Sequence, residues 1–260
     1  MIRPNQAYTA RILALKDRHN ALRDGPAPDS PAAKDISSFG SFGSLPWRLA
    51  CNGCMAAIDH LVAWNALLSA GIAPVVAGYT LCRASFEGAV LCRWFIDPGI
   101  PQPERLRRAA AMTFDEFKNS RLLIHSLEAL KPGDDRLKPQ KQYYEQQCQE
   151  LTEMIKDHLS ISGGAKAPEM SKANLTQLFG LYAEGGGESV YRSLSGAAHG
   201  VVSIIGSMSV RGETEDNSPV GLTFSMEADP FGIVITTHSA IGTTEKALFE
   251  LEGYGGRSRP

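Results

Sequence analysis

An uncharged stretch of 22 residues, 61–82, constrains the fold of this chain more than any other feature. Its length would allow one helix to cross a bilayer. However, the run Gly71–Pro74 interrupts the stretch, and glycine commonly closes a helix whereas proline commonly opens the next one. The pattern therefore predicts two packed, strongly apolar helices, at residues 48–70 and 74–96, and no membrane partner.

Hydrophobic periodicity predicts that most of the remaining chain is also helical. Residues 207–228 are the exception, because polar and apolar side chains alternate there around a turn-forming run at 215–219, as in a β-hairpin. We therefore expect a mainly α fold, a helical bundle with one small late β-hairpin. The further predicted helices cover residues 5–24, a long segment from Pro103 to about Leu130, residues 138–160, a short segment after Ser171, and residues 188–206 and 230–251.

Glycine, proline and serine are concentrated in residues 25–46, and this composition predicts a loop or linker. A second loop is predicted at 162–168. A chain of 260 residues suits one large domain with a small appendage. The predicted organisation is an N-terminal helical arm (1–24), the linker (25–46), a helical-bundle domain (47–255) that contains the hairpin, and a polar tail (256–260).

The charge balance and the cysteines exclude several classes of protein. Lysine and arginine total 26 and aspartate and glutamate total 28, so the net charge of −2 gives no global attraction to nucleic acid or to anionic lipid. Five cysteines, with no apolar leader at the start of the chain, indicate free thiols and a cytoplasmic location. Cys51 and Cys54 have the spacing of metal and redox sites, but no second close pair follows. We therefore expect both to pack on a helix, and we expect no metal and no cofactor.

The segment 188–200 carries the strongest candidate site. Glu188, Arg192, Ser195 and His199 are spaced by four, three and four residues, so a helix places them on one face. The other side chains of this segment are mostly small or apolar. These small and apolar neighbours predict that the polar face is packed inside the bundle, where an unpaired charge would lower the stability of the fold.

Arg192 and His199 are separated by six residues, and this spacing resembles the signature of HEPN domains, in which four to six residues separate an arginine from a histidine. The resemblance covers about residues 48–206. It implies a metal-independent endoribonuclease of the toxin or defence type that acts as a homodimer. RNA would lie in a cleft where the motifs of two chains meet, and an antitoxin or regulatory protein would be a further partner. Ser193 follows the arginine here, where the family often has Asn, Asp or His.

The residue types also fit this chemistry. Histidine titrates near neutrality, so His199 could transfer a proton, and the planar guanidinium of Arg192 could hold a phosphate. One imidazole cannot easily be both base and acid, so a two-fold dimer that supplies His199 twice would complete the site. Glu188, Tyr191 and Ser195 are candidate supporting residues. The alternative is a structural network in which Glu188 pairs with Arg192 and His199 bonds a carbonyl or Ser195.

A second candidate cluster lies in the apolar helix predicted at residues 74–96. Arg83 and Glu87 are four residues apart and can pair on one helix face. The pair is either a salt bridge of the core or a support for the first cluster, with Glu87 meeting Arg192 or His199 across the bundle.

Two surface features complete the prediction. Arg93, Arg105, Arg107 and Arg108 form a local basic cluster, which we expect to be a solvated helix start, with contact to a phosphate backbone as the alternative. The two apolar helices offer more hydrophobic surface than one polar helix covers, which predicts a dimer interface or a large core.

Two functional classes follow from the sequence. The first is a ribonuclease, or an inactive relative that binds RNA or a nucleotide. The second is a helical scaffold whose Arg192 and His199 hold the bundle together.

Overall fold

The structure, a computed structural model, describes residues 6–159, 174–199, 209–215 and 223–257. Within these ranges the chain forms nine helices and one pair of strands, so the prediction of a mainly α fold is confirmed. In chain order the elements are α1 (Gln6–Asn20), α2 (Pro31–Gly43), α3 (Leu45–Ser69), α4 (Val75–Ile96), α5 (Gln102–Leu130), α6 (Leu137–Leu159), α7 (Leu175–Tyr182), α8 (Gly187–Ala198), β1 (Ser209–Glu215), β2 (Thr223–Ala228) and α9 (Pro230–Tyr254).

Helices α3 and α4 are the two predicted apolar helices, and Gly71 in the turn between them has a φ of +76°. The two helices cross at Gly53 and Gly88. The backbones are so close there that a Cβ on Gly88 would lie 2.5 Å from the carbonyl oxygen of Gly53. Glycine is required because any side chain would collide with the facing backbone. Among the described helices, none combines the length with the apolarity that a bilayer-crossing segment requires.

Helix α9 covers the apolar surfaces of α3 and α4. The indole Nε1 of Trp64 on α3 donates to Thr237 Oγ1 at 2.9 Å, and the hydroxyls of Ser85 on α4 and Thr244 lie 3.3 Å apart. The polar groups of this interface therefore satisfy one another. Most of the apolar surface of α3 and α4, from which a dimer interface or a large core was predicted, is buried within one chain. The homodimer stays a prediction.

Helix α1 contributes to the same hydrophobic core. Ile12 and Leu15 are buried in it. On the flank of this buried face, Arg11 and Arg18 each form a two-pronged ion pair with a glutamate of α9. The predicted N-terminal helix is thus packed along the last helix of the chain.

The prediction of a loop at 25–46 is wrong for residues 31–43, which form helix α2. The helix begins with a strong local signal, because Ser30 Oγ accepts a hydrogen bond from the Ala33 amide at 3.1 Å and Pro31 follows the cap. Phe42 is buried, and Gly40 introduces a kink with a φ of +57°. The serines and glycines that suggest a linker therefore belong to a short packed helix.

Helices α5 and α6 form an antiparallel hairpin, in which Leu151 and Ile155 of the polar helix α6 are buried. Strands β1 and β2 pair antiparallel, from Ser209 opposite Ala228 to Glu215 opposite Thr223. Several predicted segments lie outside the described residues: the loop at 162–168, the end of the helix at 200–206, the turn at 216–219 and the last residues of the tail, 258–260.

Candidate functional site

A turn of three glycines directs helix α8 back over α7. Gly185, Gly186 and Gly187 have φ values of +70°, +97° and +25°, and a Cβ on Gly187 would lie 2.4 Å from a backbone oxygen of α7. Such positive φ values suit glycine. The reversal stacks the ring of Tyr191 on Phe179, with centroids 4.0 Å apart, and places α8 against α4.

The prediction that the polar face of α8 is packed is wrong, because the opposite face occupies the core. Tyr191, Leu194 and Ala197 are the buried side chains. The side chains of Arg192 and Glu188 are 66% and 48% exposed, and they form an ion pair with 2.7 Å between Nη2 and Oε1. The pairing expected in the structural alternative therefore exists, but at the surface, where such a pair contributes little to stability.

His199 follows the last residue of α8 and is exposed. Its backbone amide donates to the Ser195 carbonyl at 3.0 Å, which fixes the start of the side chain at the helix end. The predicted helix 188–206 thus ends as an α-helix at Ala198 within the described part of the chain.

Arg83 joins the two candidate clusters. Its Nε donates to Glu87 Oε1 at 2.8 Å, and its Nη1 lies 3.4 Å from Nε2 of His199. Its guanidinium also lies over the ring of Tyr191, 5.6 Å from the centroid. The helices α4 and α8 therefore meet as predicted, but Glu87 reaches His199 through Arg83 and not directly. Arg192 pairs with Glu188 one turn away on α8.

The charge of Arg83 limits the role that His199 can have in their contact. Burial by itself would lower the pKa of Arg83, but the hydrogen bond and charge of Glu87 outweigh it and raise the pKa above its ordinary value. A guanidinium can only donate, so Nε2 of His199 must accept. A hydrogen bond between the two side chains therefore requires the imidazole tautomer with its proton on Nδ1.

The basic cluster is largely internal, so the prediction of a solvated helix start is wrong for three of its four members. Arg93 makes a two-pronged pair with Glu250, Arg105 pairs with the buried Asp35, and Arg108 donates to the Trp94 carbonyl. Their guanidinium groups complete the packing between helices. The fourth arginine, Arg107, is the most exposed of the cluster and pairs with Glu104 of its own helix.

Cys51 and Cys54 lie on α3, as predicted, with Cys54 buried beside the glycine crossing. Burial raises the pKa of the Cys51 thiol to about 12. The thiolate that binds metals or attacks disulfides is therefore scarce at neutral pH. Within the described ranges, no group of three or more metal-ligating side chains is placed to hold an ion.

Comparison with protein-family models, with curated proteins and with solved structures finds no match to this chain. The site therefore has to be interpreted from its own geometry. The structure brings together Arg83, Glu87, Tyr191 and His199, and it leaves Glu188 and Arg192 as a separate surface pair.

The sequence did not reveal that Arg83 is the arginine in contact with His199, or that Phe179 supports Tyr191. The signal for Arg83 was present in its four-residue spacing from Glu87, but nothing in the sequence indicates which side chain it meets 116 residues later.

Proposed function

We propose that this protein is a metal-independent endoribonuclease with His199 as its proton-transfer group and Arg83 as the adjacent cation. The observation that carries the proposal is the contact of 3.4 Å between Arg83 Nη1 and the Nε2 of an exposed histidine. A neutral imidazole can accept a proton, and a guanidinium held by Glu87 can stabilise negative charge on a phosphate.

The reaction follows from these roles. The 2′-hydroxyl of the RNA gives its proton to His199 while its oxygen forms a bond to the adjacent phosphorus. Arg83 stabilises the charge that develops on the phosphate oxygens. The bond from phosphorus to the 5′-oxygen then breaks, and that oxygen takes a proton from a second acid. The products are a 2′,3′-cyclic phosphate and a free 5′-hydroxyl, and no metal takes part.

The proposal includes a homodimer in the cytoplasm. His199 as base leaves the acid unassigned, and a second copy of the chain would supply another His199. Arg192 and His199 are both exposed on α8 and available to such a partner. The strand β2 contacts α4, the helix that carries Arg83. An antitoxin or regulatory protein that binds over Arg83 and His199 would inhibit cleavage.

A second candidate function is binding of RNA or a nucleotide without cleavage. In the part of the chain that the structure describes, the side-chain hydrogen bond of His199 is to Arg83, which cannot act as an acid or a base at neutral pH. If the chain is monomeric, this single partner favours binding of RNA or a nucleotide without cleavage. A helical scaffold is the remaining alternative for the same residues.

The test is incubation of the purified chain with a labelled single-stranded RNA in EDTA. We expect cleavage with 2′,3′-cyclic phosphate ends in the wild type and loss of cleavage in His199→Asn and in Arg83→Lys, because lysine lacks the planar guanidinium. The exposed His125 on α5 supplies the matched control, His125→Asn, which should keep full activity. Cleavage that stops in EDTA or survives His199→Asn contradicts the proposal. RNA binding without cleavage supports the second candidate.

A further inference from the structure

The contact between Arg83 and His199 satisfies both side chains as long as the imidazole is neutral. Nε of Arg83 is committed to Glu87 at 2.8 Å, and Nη1 faces Nε2 of His199 at 3.4 Å. A proton on Nε2 would remove the acceptor and place two cations side by side. The same two nitrogens would then both donate, and one oxyanion between them would accept from each.

We propose that Arg83 and His199 form a proton-linked binding site for free tetrahedral oxyanions such as sulfate or inorganic phosphate. With His199 neutral, its Nε2 accepts the hydrogen bond from Nη1 of Arg83 and so competes with the anion for this donor. With His199 protonated, the anion bridges the two side chains. This inference rests on the proposed function for the choice of the site, and it adds that a free oxyanion binds together with a proton, in the protonation state in which His199 cannot act as the base.

The charges around His199 support this linkage. From α4 it is faced by Arg83 and, behind it, by Glu87, which balance each other. From α8, Tyr191 contacts Arg83, whereas Glu188 and Arg192 pair with each other about two to three turns before His199. Among the described residues, the cluster of Arg83, Glu87 and His199 thus has no net charge when the imidazole is neutral, and the proton on His199 supplies the single positive charge that an anion needs.

The thermodynamic linkage between proton binding and sulfate binding sets the size of the pH effect on affinity. Each proton taken up with the ligand changes its affinity by up to tenfold per pH unit. Uptake of one proton with each sulfate should therefore tighten sulfate binding severalfold between pH 7.5 and pH 5.5. Sulfate is the suitable probe because its own charge stays constant over this interval.

The experiment is isothermal titration of the full chain with sodium sulfate at pH 7.5 and pH 5.5, repeated at each pH in two buffers with different ionisation enthalpies. The difference between the buffers counts the protons bound with each sulfate. We expect tighter binding at the lower pH and uptake of a large fraction of one proton at the higher pH. His199→Asn should abolish both the pH dependence and the proton uptake, whereas His125→Asn should change neither. Arg83→Gln should abolish the binding itself.

Several outcomes would overturn the inference: sulfate binding that is independent of pH, binding without proton uptake, no binding at either pH, or a pH dependence that persists in His199→Asn. The wild-type measurement decides the question even if a variant fails to fold. The two proposals also fail separately. RNA cleavage with pH-independent sulfate binding refutes only the proton linkage, and proton-linked sulfate binding without cleavage refutes only the nuclease.

Discussion

Replacing Asp35 in helix α2 by alanine should destabilise the protein far more than removing an exposed carboxylate beside this helix. The carboxylate is 1% exposed. It accepts two hydrogen bonds from Arg105, both at 3.1 Å, and one from the hydroxyl of Tyr254 at 2.5 Å. The alanine variant leaves the largely buried guanidinium without its counter-charge, and breaking such a pair costs about 3–5 kcal/mol.

The free energy of unfolding from urea titrations, followed by circular dichroism, measures this cost directly. For a chain of this size, it corresponds to a melting temperature lower by about 6–20 °C. The matched control is Asp29→Ala, which removes the same charge from an exposed position just before α2 and should change stability by no more than about 0.5 kcal/mol. Equal, small effects of the two substitutions would refute the reasoning that this network anchors α2 to α5 and α9.

Three further predictions use other parts of the structure. Gly88→Ala should lower the melting temperature, with a cost of about 1–3 kcal/mol, because the added methyl group meets the Gly53 carbonyl; an unchanged melt would contradict the close crossing. Burial lowers the pKa of His19, so the wild type should lose stability as the pH falls below about 6.5. In urea titrations at pH 7 and pH 5, His19→Gln should lose less stability than the wild type. Equal losses of stability in the two proteins would exclude His19 as the cause. His199→Ala should shift the melting temperature by little, because the side chain is exposed, whereas a large loss would favour the scaffold function.

Local patterns predicted much of the fold because their causes are local. The turn Gly71–Pro74 separates α3 from α4 through backbone conformations that the two residue types favour, and no distant contact is needed. Helix α2 was missed although its cap, Ser30, and Pro31 are visible in the sequence. The partners of its Asp35 lie 70 and 219 residues away along the chain. The sequence near Asp35 therefore does not show why a charged residue lies in a serine-rich helix.

In the candidate site, too, the sequence predicts the local contacts but not the contacts between distant residues. The spacing of Arg83 and Glu87 predicts their ion pair, and the spacing of Glu188 and Arg192 predicts theirs. Periodicity places the polar residues of α8 on one face but does not say which face turns inward. Tyr191 and its apolar neighbours on the other face decide that, and their larger buried area outweighs the polar side.

The position of α9 also has a consequence for synthesis on the ribosome. This last helix packs against α1, α3 and α4, and its ion pair with Arg11 joins residues 234 positions apart. The apolar helices α3 and α4 therefore leave the exit tunnel long before the helix that covers them. Exposed apolar surface of this kind favours aggregation and binding of chaperones. The core of the bundle can therefore close only after α9 has left the tunnel, and a chain that terminates before α9 should not reach the folded state.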